Sequence, residues 1–95
     1  MRTLLDDDAV ARWISSHEGW RRDADLIEKE FRFPTFLHAV EFVHRVAELA
    51  EAADHHPDMD IRYDRVRIGL STHSAGGITE MDTTLAGEID RTAGP

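Results

Sequence analysis

The segment from residue 35 to residue 55 constrains the fold most, because its pattern predicts one long amphipathic helix. Pro34 suits the first turn of a helix, and Pro57 disfavours helical geometry at the residue before it, so the helix must end near His55. The polar face carries His38, Glu41, Arg45 and Glu48. The apolar stripe consists of Phe36, Val40, Val43, Ala47 and Ala50, widened by Phe42, Val46 and Leu49.

Two pairs of strand-like segments flank this helix. Turns predicted at residues 22–25 and 64–65 would close each pair into a hairpin with one buried face. Lys29 interrupts the apolar alternation of the second segment, which suggests an edge position for that strand. The predicted strands are residues 20–22, 26–33, 60–63 and 66–71.

A shorter helix is predicted near the start of the chain. The acidic run at residues 6–8 offers an N-cap and favourable charge for a first turn. Val10, Trp13 and Ile14 recur at helical spacing, and Gly19 provides a stop.

A final helix is predicted after a loop of small residues at 74–77. Thr79 would cap it, and residues 91–95 are expected to fray. Its inward face would consist of Met81, Leu85, Ala86 and Ile89. The order helix, two strands, long helix, two strands, helix predicts a two-layer α+β domain, with helices on one face of a four-stranded antiparallel sheet.

Length and composition narrow the function classes. The chain has 95 residues, which suits one domain over residues 1–95 and implies modest stability, so self-association is expected to help. It has no cysteine, which excludes thiol catalysis and disulfides. A net charge of −8 argues against binding nucleic acid through phosphates. No apolar run suits a membrane span or a signal peptide, and we expect a cytoplasmic protein without a membrane partner.

Histidines and carboxylates cluster where the long helix must end. Glu51 lies one turn before His55, and Pro57 pushes His56 towards an extended conformation, so His56 is free to turn away from its neighbour. His73 ends a strand-like run, and Asp82 lies in the first turn of the last helix. Imidazoles have a reference pKa of about 6.5, so they can both donate and accept protons near neutral pH. This set of groups therefore indicates proton-transfer chemistry.

The spacing of these residues resembles the signature of the pterin-4a-carbinolamine dehydratases. The motif is Glu51-x3-His55-His56-Pro57-x5-Tyr63-x9-His73-x8-Asp82. Further similar stretches are Gly19-Trp20, Arg22-Asp23-Ala24, Phe31-x-Phe33, Arg45-Val46-Ala47, Ser71-Thr72-His73 and Gly77-Ile78-Thr79, so the likeness covers roughly residues 19–90. It implies a small α+β homodimer or homotetramer that dehydrates 4a-hydroxytetrahydropterin to the quinonoid dihydropterin, with the pterin as substrate and no cofactor or metal.

The resemblance also implies roles for individual residues. His55 and His73 would be the acid/base pair, and His56 would bind and orient the pterin. Glu51 and Asp82 would hold the imidazoles in the required tautomer. The pterin would also contact Tyr63, Ser71 and Thr72.

Other interpretations of the same residues remain open. Asp82 lies three residues after Thr79, as in a capping box, and Glu51 is placed to pair with His55 at i,i+4. Tyr63 is a candidate for the core as much as for the pocket. The three histidines with a carboxylate would also suit zinc, although adjacent histidines rarely share one ion. The alternative function is a non-enzymatic interaction module, acting as a dimerisation cofactor or assembly factor.

Overall fold

The computed structural model describes residues 3–94. Its helices are α1 (Asp7–Ser15), α2 (Phe36–Ala53) and α3 (Glu80–Ala93), with one turn of 3₁₀ helix at His73–Ala75. Its strands are β1 (Arg21–Asp23), β2 (Leu26–Arg32), β3 (Asp58–Arg62) and β4 (Arg65–Leu70). The predicted order of elements is confirmed.

The strands form one antiparallel sheet in the order β1-β2-β4-β3. β1 pairs with β2 and β3 with β4 as hairpins, and the two hairpins join through β2 and β4. Since side chains alternate between faces, this register places the buried residues Ile27, Phe31, Val66, Ile68 and Leu70 on one face. That face packs under the helices, so the predicted two-layer α+β fold is confirmed.

The opposite face of the sheet carries charged side chains. Arg21 and Arg67 both pair with the carboxylate of Glu28, and Arg67 also reaches Asp60 at 3.4 Å. The remaining charged residues on this face are Asp23, Glu30, Arg32, Asp58, Arg62 and Arg65. No helix or strand covers this face among residues 3–94.

The buried side of α2 partly matches the predicted stripe, because Phe42, Val46 and Ala50 belong to that stripe but Ala39 does not. Ala39, Phe42, Val46 and Ala50 are buried against the sheet and α3, whereas Phe36 is 51% exposed. The side of the helix that carries Phe36 and the side that carries Ala39 are both apolar. The sequence pattern alone does not say which of these two sides faces the sheet. Apolar side chains remain exposed beside that core on Phe36, Leu37, Val40, Met59 and Ile61.

The predicted edge position of β2 is wrong for its first half. Ile27 and Glu28 pair with both β1 and β4, and the later residues of β2 have no partner in β1 because β1 is only three residues long. Lys29 lies just beyond β1 and faces the helices, where Nζ donates to Oδ1 of Asp90 at 2.8 Å. An ion pair with α3 thus accounts for a lysine on the buried side of this strand.

Several predicted boundaries shift by one to three residues. The hairpin turns lie at Ala24–Asp25 and Tyr63–Asp64, and Ala24 and Tyr63 have positive φ angles of 53° and 55°. α3 continues to Ala93, so the predicted fraying from residue 91 is wrong for 91–93. Pro95 lies outside the described residues. No helix within residues 3–94 combines the length and the apolarity needed to cross a membrane.

Candidate functional site

The site begins where α2 ends, in a Schellman motif. Asp54 adopts a left-handed conformation with φ of 50°, its N–H donates to the carbonyl of Glu51, and the N–H of His55 donates to the carbonyl of Ala50 at 3.1 Å. This reversal takes His55 off the helical path and turns it into the protein. Helical spacing from Glu51 therefore does not describe where the His55 side chain goes.

His55 pairs with Asp82 on α3. Nε2 of His55 lies 2.6 Å from Oδ1 of Asp82, and the Asp82 side chain is fully buried. A buried carboxylate needs hydrogen-bond donors to offset its lost hydration, and the imidazole supplies one of them. The predicted contact between Asp82 and a site histidine is therefore present in the structure.

Two threonines complete the hydrogen bonding of Asp82. Oδ2 accepts the hydroxyl of Thr72 at 2.8 Å and the backbone N–H of Thr79 at 2.9 Å. The hydroxyls of Thr72 and Thr79 lie 2.7 Å apart. Asp82 thus caps α3, as the Thr79 spacing indicates, and holds His55 at the same time.

His56 turns the other way, towards solvent. Its Nε2 lies 2.5 Å from Oε2 of Glu51, with both side chains more than half exposed. The i,i+4 pairing of Glu51 with His55 is wrong, because the reversal at Asp54 removes His55 from that face and brings His56 over the last turn. The two adjacent histidines thus have different carboxylate partners.

His73 is the first residue of the 3₁₀ turn after β4, not the end of a strand. The loop that presents it is closed by Thr72, whose N–H donates to the carbonyl of Gly77 at 2.8 Å. The N–H groups of Ala75 and Gly76 donate to the carbonyl of Thr72. His73 itself is exposed.

These elements border one open pocket of about 450 Å³. Three imidazoles, of His55, His56 and His73, line it. The other lining residues are Ala53, Asp54, Ser71, Thr72, Ser74 and Met81. Several imidazoles lining one pocket can donate a proton to a bound molecule at one position and accept one at another.

The structure brings together most of the predicted site residues. His55, His56, His73, Ser71 and Thr72 line the pocket. Asp82 lies behind His55, and Glu51 contacts His56 from its outer side. Among the described residues, no group of three or more histidines and carboxylates has the arrangement of a metal site.

Tyr63 is the exception. It lies in the turn at the far end of β3 from the histidines, is 74% exposed and does not line the pocket. Its predicted contact with the substrate stays a prediction, whereas the core position that was the alternative is wrong.

Sequence reasoning missed several residues of the site, among them Ala53 and Ser74 of the pocket lining. Asp54 and Met81 line the pocket, and Thr79 joins the hydrogen bonds around Asp82. The spacing of Thr79 predicts only its capping role. An aspartate directly before the two histidines, at the point where a helix must end, was the available signal for Asp54.

Comparisons with known proteins identify relatives of the whole domain. The family model described as pterin 4 alpha carbinolamine dehydratase matches residues 3–92. A provisionally named pterin-4-alpha-carbinolamine dehydratase of Mycolicibacterium smegmatis is 48% identical over 88 residues, which is 93% of this chain and 94% of that protein. One with the same provisional name from Thermomicrobium roseum is 49% identical over 85 residues, covering 90% and 91%.

Solved structures agree with this assignment. The crystal structure of a transcriptional coactivator/pterin dehydratase from Brucella melitensis superposes with a TM-score of 0.92 at 32% identity, covering 97% of this chain and all of that one. A pterin dehydratase-like protein identified as a RuBisCO assembly factor in the alpha-carboxysome has a TM-score of 0.69 at 26% identity, covering 82% and 93%. From the family match, the relatives and the fold together, the chain belongs to the pterin-4-alpha-carbinolamine dehydratase family.

Proposed function

We propose that this protein dehydrates 4a-hydroxytetrahydropterin to the quinonoid dihydropterin by histidine acid/base catalysis, in pterin recycling. The observation that carries the proposal is the pocket bordered by the imidazoles of His55, His56 and His73. Membership of the dehydratase family supports the same reaction class.

The reaction needs one proton donor and one proton acceptor. An acid protonates the 4a-hydroxyl group, the C4a–O bond breaks, and water leaves. A base removes the proton from N5, and the N–H electron pair forms the double bond between N5 and C4a. The substrate loses one water, and the step needs neither an oxidant nor a reductant. We therefore propose no organic cofactor and no metal for this step.

The positions of the three histidines suggest a division of labour. His55, oriented by Asp82, and His73 on the 3₁₀ turn act as the acid/base pair. His56, at the mouth and paired with Glu51, binds and orients the pterin, with Ser71 as a further contact. Each well-placed proton transfer typically contributes about 10²–10⁴-fold to the rate.

A stopped-flow measurement of 4a-hydroxytetrahydropterin breakdown tests this function. The pterin is generated in the mixing cell, and its decay is followed by absorbance with and without micromolar protein. We expect acceleration that scales with protein concentration. A decay rate equal to that of buffer alone rejects the enzymatic function.

We also propose that the protein is a homo-oligomer. The outer edge of β3 has no partner strand among residues 3–94, which leaves backbone N–H and C=O groups ready to pair. Beside this edge lie Met59 and Ile61, and α2 adds the exposed Phe36, Leu37 and Val40. A second copy of the chain would cover these apolar side chains and extend the sheet.

The same exposed residues favour the second candidate function, an interaction module. Such a module would bind another protein through this apolar surface and would not need the histidines. The structural neighbour identified as a RuBisCO assembly factor is an example of such a role in a protein of similar fold. The stopped-flow assay separates the two candidates, because an interaction module leaves pterin breakdown unchanged.

A further inference from the structure

The buried hydrogen bonds behind His55 determine which of its ring nitrogens faces the pocket. Asp82, Thr72 and Thr79 are each at most 3% exposed, so no solvent competes for their polar atoms. An ionised carboxylate accepts hydrogen bonds only, and a threonine hydroxyl has a single hydrogen to donate. The direction of every bond in the cluster follows from these two facts.

The donors can be assigned one by one, starting at the carboxylate. Oδ2 of Asp82 accepts from the Thr72 hydroxyl, which uses the only hydrogen that Thr72 has. Across the 2.7 Å contact between hydroxyls, Thr79 must therefore be the donor and Thr72 the acceptor. The Thr79 oxygen in turn accepts the backbone N–H of Met81 at 3.2 Å.

The other carboxylate oxygen sets the state of His55. Oδ1 of Asp82 accepts from Nε2, so the neutral imidazole carries its hydrogen on Nε2 and has a lone pair on Nδ1. Among residues 3–94, Nδ1 has no hydrogen-bond partner, and no buried side-chain nitrogen or oxygen is left without one. Nδ1 therefore keeps contact with solvent, and His55 is one of the residues that line the pocket.

We propose that Thr72 and Thr79 are positioning residues that hold the Asp82 carboxylate in one orientation, and that His55 therefore presents Nδ1 as its reactive nitrogen. Without the Thr72 hydroxyl, the Thr79 N–H would be the only other donor left on the carboxylate. One remaining backbone bond does not fix the plane of the group, so Asp82 and the imidazole gain freedom to rotate. The tautomer is a property of the free protein, while its use in catalysis rests on the function proposed above.

The tautomer can be measured without any substrate. Long-range ¹H–¹⁵N NMR of the histidine rings at about pH 8.5, roughly two units above the reference pKa of imidazole, distinguishes a protonated from an unprotonated ring nitrogen. We expect His55 to carry its hydrogen on Nε2 in the unmodified protein. A His55 that is protonated mainly on Nδ1 overturns the proposal directly.

Variants of Thr72 test the positioning role. Thr72→Val keeps the shape but removes the hydroxyl, and Thr72→Ser keeps the hydroxyl. We expect Thr72→Val to raise the Nδ1–H population of His55 at least about fivefold, and Thr72→Ser to leave it unchanged. Thr84→Val, on an exposed position of α3, is the matched control and should also leave it unchanged.

Kinetics complete the test if the protein is active. Thr72→Val should lower kcat about tenfold with KM within about twofold, because the Thr72 hydroxyl donates its hydrogen to Asp82 and not to the pterin. Three results would each overturn the positioning role. The first is an equal loss of kcat in Thr72→Ser, and the second is a change in Thr72→Val that is confined to KM. The third is an unchanged His55 tautomer in a folded Thr72→Val protein. If Thr72→Val does not fold, the unmodified protein and Thr72→Ser still decide the tautomer. An inactive protein with the expected tautomer would reject the proposed function but retain the positioning role.

Discussion

The carboxylate of Asp82 lies 2.6 Å from Nε2 of His55, although 27 positions separate the two residues. The contact joins the end of α2 to the first turn of α3, and Asp82 also accepts the Thr72 hydroxyl and the Thr79 N–H. One side chain thus caps a helix and orients a histidine of the pocket. Stability and the proposed activity are therefore coupled at Asp82.

Removing this carboxylate should destabilise the protein strongly. We expect Asp82→Ala to lower the free energy of unfolding by about 2–4 kcal/mol, because it leaves three buried donors without an acceptor and removes a cap. Urea denaturation measures the change. Glu80→Ala is the matched control, since Glu80 lies in the same turn of α3 but is exposed, and its effect should stay within about 0.5 kcal/mol. Similar losses of stability in both variants would mean that the negative charge in the first turn of α3, and not the buried hydrogen bonds, accounts for the effect.

Replacement of His55 tests the proposed acid/base pair. In the stopped-flow assay, His55→Ala should reduce the rate of pterin dehydration by about 10²–10⁴-fold. His44→Ala is the control, because His44 lies on α2 with 75% of its side chain exposed, pairs only loosely with Glu48 at 3.9 Å, and does not line the pocket. Full activity in folded His55→Ala protein would exclude His55 from the chemistry.

The pair formed by Glu51 and His56 should affect binding more than stability. Exposed ion pairs contribute little, so Glu51→Gln should change the free energy of unfolding by less than about 0.5 kcal/mol. If Glu51 orients His56 towards the pterin, KM should rise severalfold while kcat changes less. Glu48→Gln, which removes the partner of His44 on the same helix, should change neither constant. An unaltered KM in Glu51→Gln would remove Glu51 from the site.

The backbone at Tyr63 offers a test that does not depend on activity. A non-glycine residue with φ of 55° is strained, and the exposed side chain has little packing to compensate. Asparagine tolerates this conformation better, so Tyr63→Asn should raise the free energy of unfolding by about 0.5–1 kcal/mol. Tyr63→Phe keeps the strain and should change it by less than about 0.5 kcal/mol. A less stable Tyr63→Asn protein would contradict the argument from backbone strain.

The apolar surface beside β3 should mediate self-association. Light scattering coupled to size-exclusion chromatography should give a mass at least twice the 10.8 kDa of one chain. Ile61→Lys should shift the protein towards the single-chain mass, because it places a charge among the exposed apolar residues of β3 and α2. Leu4→Lys changes an exposed leucine elsewhere and should not. A single-chain mass for the unmodified protein would contradict the oligomer.

Local signals were sufficient for the elements and their order. The spacing of apolar residues predicts α2, and the caps at Asp6 and Thr79 are present as expected. The buried side of α2 shows the limit of the same reasoning, because Phe42, Val46 and Ala50 of the predicted stripe are buried but Phe36 is not. Phe36 and Ala39 lie on two sides of α2 that are both apolar, and only the packing against the sheet and α3 selects the side that is buried.

The histidine cluster and its spacing come from the sequence alone, because they depend on residue type and order. The partners of those histidines depend on the tertiary structure. The left-handed turn at Asp54 directs His55 to Asp82 and His56 to Glu51, reversing the pairing expected from helical periodicity. Periodicity describes neighbours only while the helix continues, and beyond its last residue the packing of α3 against α2 decides which groups meet.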